Sequence, residues 1–155
     1  MAVIAPGTAV PDFALKTAEN EEFTQADVAS GTTVLVFYPF AFSGVCTDQF
    51  QIYQEALEEI TADGARIYGV STDPRISQTA FCNSLSVTIP QLSDFEPKGA
   101  TAKAFGAFFE PGGMTHRALV VVKDGTVVWS WEGETPGELP GVNLVFDGLK
   151  AAAAA

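Results

Sequence analysis

YPFAFSGVCTDQF, residues 38–50, places one of the chain's two cysteines between an apolar run and an amphipathic one. Upstream, Val34 to Tyr38 is continuously apolar and strand-sized, which predicts a buried strand ended by Pro39. Downstream, Phe50, Tyr53, Leu57 and Ile60 recur at helical spacing, with Gln51, Gln54, Glu55, Glu58 and Glu59 on the other side. Asp63-Gly64 is a good helix stop, because glycine takes the left-handed position after a helix without steric penalty. Ser43-Gly44 supplies the turn into that helix, so Cys46 falls in its first turn, on the face shared by Phe50 and Tyr53. Unpaired N–H groups in a first helical turn favour an anion, and a thiolate is the nucleophilic form of cysteine. Cysteine is also a common small buried hydrophobe, and placement alone leaves both readings open.

The remaining elements extend outward from this strand–loop–helix unit. Gly7 to Leu15 is an extended opening with a short strand, followed by a polar turn over Glu19 to Glu22 and a loop or helical turn over Asp27 to Thr32. Arg66 to Ser71 predicts a second strand, and Pro74 the first turn of a helix to Leu85, capped by Asp73 or Thr72. Ile89 to Leu92 predicts a short edge segment, and Ser93-Asp94 a cap for a helix from Gly99 to Phe105. Arg117 to Val122 and Val127 to Trp131, joined at Asp124-Gly125, predict a hairpin. Gly141 to Lys150 predicts a last helix, presenting Val142, Val145, Phe146 and Leu149, with Ala151 to Ala155 continuing or fraying it. The order β-α-β-α, then a hairpin, then a helix, predicts one α/β domain over residues 1–155. A central mixed β-sheet flanked by helices is expected, the plan of a thioredoxin-like fold.

The totals narrow the function. Hydrophobic residues make up 47% and charged residues 17% of the 155 residues, a globular composition. No apolar run nears the roughly 18 residues of a membrane span, and the N-terminus lacks a basic, then apolar, leader, so the expectation is a cytoplasmic protein. A net charge of −11 argues against nucleic-acid and membrane partners. Two cysteines and one histidine are too few for a zinc site, and neither metal nor cofactor is expected.

Cys46 lacks the companions of most cysteine chemistries. A phosphatase loop, C-x5-R, would need arginine where Ile52 stands; a dithiol motif, C-x-x-C, would need cysteine at Gln49. A protease-like pair would need a histidine, and nothing in the spacing singles out His116. A thiolate that attacks a peroxide needs less: a nearby cation, hydrogen-bond donors and shelter from water. Pro39-x-x-x-Ser43-x-x-Cys46 resembles the peroxiredoxin signature P-x-x-x-T/S-x-x-C. Further similarity lies in Gly7 with Pro11 to Leu15, Ser71 to Asp73, Ile89 to Asp94, Gly99 to Phe105 and Arg117, so the resemblance spans residues 5 to 150. The AhpE-like subgroup is the most similar, with the BCP/PrxQ group as neighbour.

The resemblance implies roles. Cys46 would be the peroxidatic cysteine, oxidised to a sulfenic acid by hydrogen peroxide or an organic hydroperoxide. Arg117 would stabilise the thiolate and the developing charge, Ser43 hydrogen-bond the peroxide, and Pro39 shield the site. Serine at 43 keeps the hydroxyl of the family's usual threonine without its methyl. Gln49, where glutamate is frequent, would hydrogen-bond the arginine without neutralising it, leaving more positive potential at Cys46. Cys82 is the candidate resolving cysteine. Helical spacing sets it among Arg75, Gln78, Thr79 and Ser86, so it is expected to face outward; the resemblance implies that it forms an intramolecular disulfide with Cys46. The alternatives are a one-cysteine, AhpE-like cycle with an external thiol or glutaredoxin-like reductant, and a non-enzymatic redox sensor or binding module. Implied partners are a peroxide, a thioredoxin-like or glutaredoxin-like reductant, and a second copy in a homodimer. Phe40, Phe42, Phe108 and Phe109 would form a dimer surface, favour organic peroxides, or simply pack the core.

Overall fold

A seven-stranded sheet organises the chain, which is described over residues 2–155 of a computed structural model. The elements are β1 (Ala14–Lys16), β2 (Glu22–Thr24), a 3-10 turn (Gln25–Val28), β3 (Thr32–Phe37), α1 (Gly44–Glu55), α2 (Leu57–Ile60), β4 (Arg66–Ser71) and α3 (Arg75–Leu85). There follow β5 (Gln91–Ser93), α4 (Ala100–Ala104), β6 (Phe108–Phe109), β7 (Met114–Thr115), β8 (Ala118–Lys123), β9 (Thr126–Glu132) and α5 (Val142–Ala154). Strand order is β2-β1-β5-β4-β3-β8-β9. β3, β4 and β5 pair in parallel, joined by crossover helices, and β8 and β9 add an antiparallel hairpin. The mixed sheet with flanking helices expected from the sequence is present. Among the described residues no helix is long and apolar enough to cross a membrane.

From Val34 to Phe37 β3 is apolar because both of its faces are covered. Strand alternation sends Leu35 and Phe37 into one core layer with Phe13, Phe105 and Val120. Val34, Val36 and Tyr38 enter the other layer with Cys46, Phe50, Tyr53, Phe81 and Cys82. The cysteine helix thus docks on one sheet face by the residues whose spacing predicted it. Gly69 of β4 makes that docking possible: a β-carbon there would stand 2.8 Å from the Phe50 ring and closer still to Gln91. The Asp124-Gly125 turn has positive φ at both positions, 50° and 80°, the primed geometry that suits a hairpin's twist.

Several expectations need correcting. The helix after Cys46 breaks at Ala56 (φ −98°, ψ 5°), and α2 resumes beyond it. Glu55, Glu58 and Glu59 repel one another at one-turn spacing there, which weakens a continuous helix. Asp73 does not cap α3; the N-cap is Pro74 and has no side-chain cap bond. Asp73 instead accepts from the Ala41 N–H at 2.8 Å, tying β4 to the loop before Cys46. β5 lies inside the sheet, between β1 and β4, not at its edge. Asp94 does serve α4, accepting from the N–H groups of Thr101 (3.1 Å) and Ala102 (2.8 Å). The alanine run continues α5 to Ala154.

Candidate active site

Ser43 is the N-cap of α1: its backbone is extended, and its Oγ accepts from the Cys46 N–H at 3.2 Å. A serine hydroxyl that accepts one bond still has its proton to donate. Cys46 is the third residue of the helix and fully buried. Pro39 is buried at the end of β3, and Phe42 holds the intervening loop in a strained left-handed conformation (φ 70°), its ring against Phe81.

Arg117 stands at the start of β8, where the strand hydrogen-bonded to β3 delivers it to the same end of the sheet. Only 1% of it is exposed. Its Nη2 donates to Cys46 Sγ at 3.3 Å, its Nη1 to Gln49 Oε1 at 2.6 Å and its Nε to the Pro136 carbonyl at 2.8 Å. None of these partners is a carboxylate, and among the described residues Arg117 makes no ion pair. A buried guanidinium that lacks an anion is costly, and Cys46 is the partner able to become one. Gln49 is itself fully buried; its Nε2 donates to the Tyr53 hydroxyl at 3.2 Å, which donates to the Pro140 carbonyl at 2.8 Å. Burial pushes the Tyr53 hydroxyl far up, a Gln49 hydrogen bond and Arg117 opposing, so Tyr53 stays neutral.

Ser43, Cys46, Gln49 and Arg117 therefore come together through hydrogen bonds, and Pro39 is buried in the loop that precedes them. Cys82 does not face outward. It is 8% exposed, and the buried side of α3 is Gln78, Phe81 and Cys82, while Ile76 is 77% exposed. Helical spacing told which residues share a face but not which face meets the sheet, because the polar Gln78 is buried, donating to Ser71 Oγ and the Leu92 carbonyl. Burial pushes the Cys82 thiol up to about 11, against a hydrogen bond from Gln91. Tyr38, between the two cysteine helices, is likewise pushed up by burial, opposed by a Ser71 hydrogen bond and reinforced by Asp73, Cys82 and Cys46. His116 stacks on Phe109, and its Nε2 meets the Gly133 carbonyl at 2.8 Å; it is not paired with Cys46. Phe108 is core and Phe109 half-buried, whereas Phe40 and Phe42 are exposed. Sequence reading missed Tyr53 as a functional group, and Pro136 and Pro140. Tyr53 read as a core aromatic; its spacing of one turn from Gln49 was the available signal. Backbone carbonyls carry no sequence signature.

A thioredoxin-like sheet with a buried cysteine at a helix start, faced by a buried arginine, defines a thiol-dependent peroxidase of the peroxiredoxin type. The chain belongs to the AhpC/TSA family, whose model matches residues 6–130. Alkyl hydroperoxide reductase E of Mycobacterium tuberculosis is 31% identical over 146 residues, covering 94% of this chain and 95% of that protein. Alkyl hydroperoxide reductase C of Escherichia coli is 30% identical over 127 residues, covering 80% and 67%. Among solved structures, peroxidoxin BcpB from Mycobacterium tuberculosis superposes with a TM-score of 0.79 at 25% identity, covering 97% of each chain. Enterococcus faecalis AhpC superposes with a TM-score of 0.87 at 23% identity, covering 97% and 93%.

Proposed function

We propose that this peroxiredoxin reduces hydrogen peroxide and organic hydroperoxides through Cys46 and is regenerated by an external thiol. The observation that carries the reading is the buried Arg117 guanidinium, 3.3 Å from Cys46 Sγ and, among the described residues, without a carboxylate partner. The thiolate sulfur attacks one peroxide oxygen; an S–O bond forms as the O–O bond breaks. The departing oxygen takes up a proton and leaves as water or an alcohol, and Cys46 becomes a sulfenic acid. Charge moves from sulfur to the leaving oxygen, and Arg117 and the free Ser43 proton are donors able to follow it. Pro39 shields the thiolate from water.

Burial of Cys82 supports the one-cysteine cycle over the intramolecular disulfide. An external thiol attacks the sulfenic sulfur, releasing water and leaving a mixed disulfide. A second thiol frees Cys46 and carries off the disulfide. The presence of Cys46 and Cys82 in one core cluster favours the second reading, a Cys46–Cys82 disulfide formed after local unwinding. Phe40 and Phe42 in the loop before Cys46, and Ile52 on the Cys46 helix, are exposed apolar side chains, and they support a homodimer formed through this edge. Both thiols are free, as suits a reducing, cytoplasmic compartment. Peroxide consumption with a thiol donor, abolished in Cys46→Ser, tests the activity; a wild-type rate no faster than that of free cysteine overturns it.

A further inference from the structure

We infer that Tyr53 is a positioning residue, which with Gln49 and the Pro140 carbonyl holds Arg117 against Cys46 through an uncharged, one-directional hydrogen-bond relay. The inference rests on the reading of Cys46 as the reacting thiol. Each bond in the relay has only one possible direction. Arginine has donors and no acceptor, so the Gln49 atom 2.6 Å from Nη1 is its oxygen. The Gln49 amide nitrogen then faces Tyr53, whose oxygen must accept at 3.2 Å. That leaves the single Tyr53 proton for the Pro140 carbonyl, 2.8 Å away, which can only accept. A rotation of the guanidinium would leave several of these buried groups unpaired at once, each at the full cost of a lost buried hydrogen bond.

The far end of the relay and the other side of the guanidinium meet in one segment. Pro136 and Pro140 lie in the loop between β9 and α5, and Pro136 accepts from Arg117 Nε at 2.8 Å. Two guanidinium nitrogens are therefore fixed by protein oxygens, and the third is aimed at Cys46 Sγ. The Tyr53 ring needs no hydroxyl to pack; it lies beside Phe50 at a centroid distance of 6.4 Å, as a phenyl ring would. The hydroxyl is what the relay uses. Gln49 and Tyr53 are also matched to each other. A carboxylate at 49 would meet the lone pair of Tyr53, and only by withdrawing the proton from Pro140 could Tyr53 satisfy it.

A double-mutant cycle separates positioning from packing. Wild type, Tyr53→Phe, Gln49→Met and the double variant are compared for the rate of Cys46 alkylation by iodoacetamide and of single-turnover oxidation by hydrogen peroxide. Circular dichroism checks the fold. Tyr53→Phe is expected to slow both reactions about tenfold in the wild-type background, as small misplacements of a reacting group do, and less than about twofold in the Gln49→Met background. A similar factor in both backgrounds, or no slowing in folded Tyr53→Phe, overturns the relay. Should Tyr53→Phe not fold, Gln49→Met alone decides: about tenfold slower alkylation supports the relay, and an unchanged rate overturns it. Wild type inert to peroxide but with the expected alkylation pattern would overturn the peroxidase reading and leave the relay standing.

Discussion

Arg117→Met replaces the guanidinium with an apolar side chain of similar reach and leaves Gln49 Oε1 and the Pro136 carbonyl without their donors. A unit positive charge 3.3 Å from a thiolate, at an effective dielectric constant of about 20, is worth ~5 kcal/mol. Part of this is offset by relaxation and water entry once the cation is gone. Loss of one preorganised donor at a developing charge typically costs about 10²–10³ in rate, or ~3–4 kcal/mol. The expected outcome is a fall of about that size in the second-order rate constant for hydrogen peroxide at pH 7. It is measured by stopped-flow in a single turnover, following tryptophan fluorescence. A folded Arg117→Met protein within tenfold of wild type at pH 7 would refute the reasoning.

Three other outcomes follow from the geometry. Cys82→Ser should keep peroxide turnover with an excess of small thiol within about twofold of wild type, since a buried thiol pushed up to about 11 is less than 0.1% thiolate at pH 7; a Cys46–Cys82 peptide in peroxide-treated wild type, found by mass spectrometry, would reverse that view. Ser43→Ala should lose ~1 kcal/mol of stability, seen in urea denaturation, through the missing cap, and should slow peroxide reduction in addition; an unchanged rate would confine Ser43 to capping. Burial pushes the Asp94 carboxyl up to about 6 from 3.8, against opposing hydrogen bonds from Ala102 and Thr101. The folded state then binds this proton more tightly than the unfolded one. The resulting stability is fully present below pH about 4 and lost as pH rises through about 6, a change of ~3 kcal/mol. In Asp94→Asn that part of the pH dependence of the urea midpoint should vanish, and an identical dependence in both proteins would refute it.

The fold was legible where burial and spacing agree. β3 and its continuous apolar run, the Asp124-Gly125 hairpin and the buried face Cys46–Phe50–Tyr53 all state their environment in their residue types. β5 was misread as an edge because three residues, Gln91 to Ser93, carry no pattern long enough to reveal neighbours on both sides. α3 was turned over for a different reason. Its inward face includes the polar Gln78, whose burial is made good by the Ser71 hydroxyl and the Leu92 carbonyl from other elements, while Ile76 is left in solvent. A polarity pattern cannot anticipate partners that only the tertiary fold supplies. The site divides in the same way: Ser43, Cys46, Gln49 and Arg117 announced themselves, and the Tyr53 hydroxyl and the carbonyls of Pro136 and Pro140 did not.

The arrangement around Arg117 is best understood by what is missing from it. The chain has 19 acidic residues against 8 basic ones, yet among the described residues no carboxylate oxygen bonds the guanidinium. An acidic partner would be the ordinary way to make a buried arginine tolerable, and it would leave the charge spent on a spectator. Neutral oxygens orient the guanidinium and leave its charge available, so the thiolate is the group whose formation relieves the burial. The cost is carried by the fold: the loop before Cys46 is held in shape by the Asp73 bond to Ala41, and Phe42 sits in a strained conformation. Such a departure from local preference is expected where a structure is organised around a reacting group, and Phe42 lies in the loop that leads into the Cys46 helix.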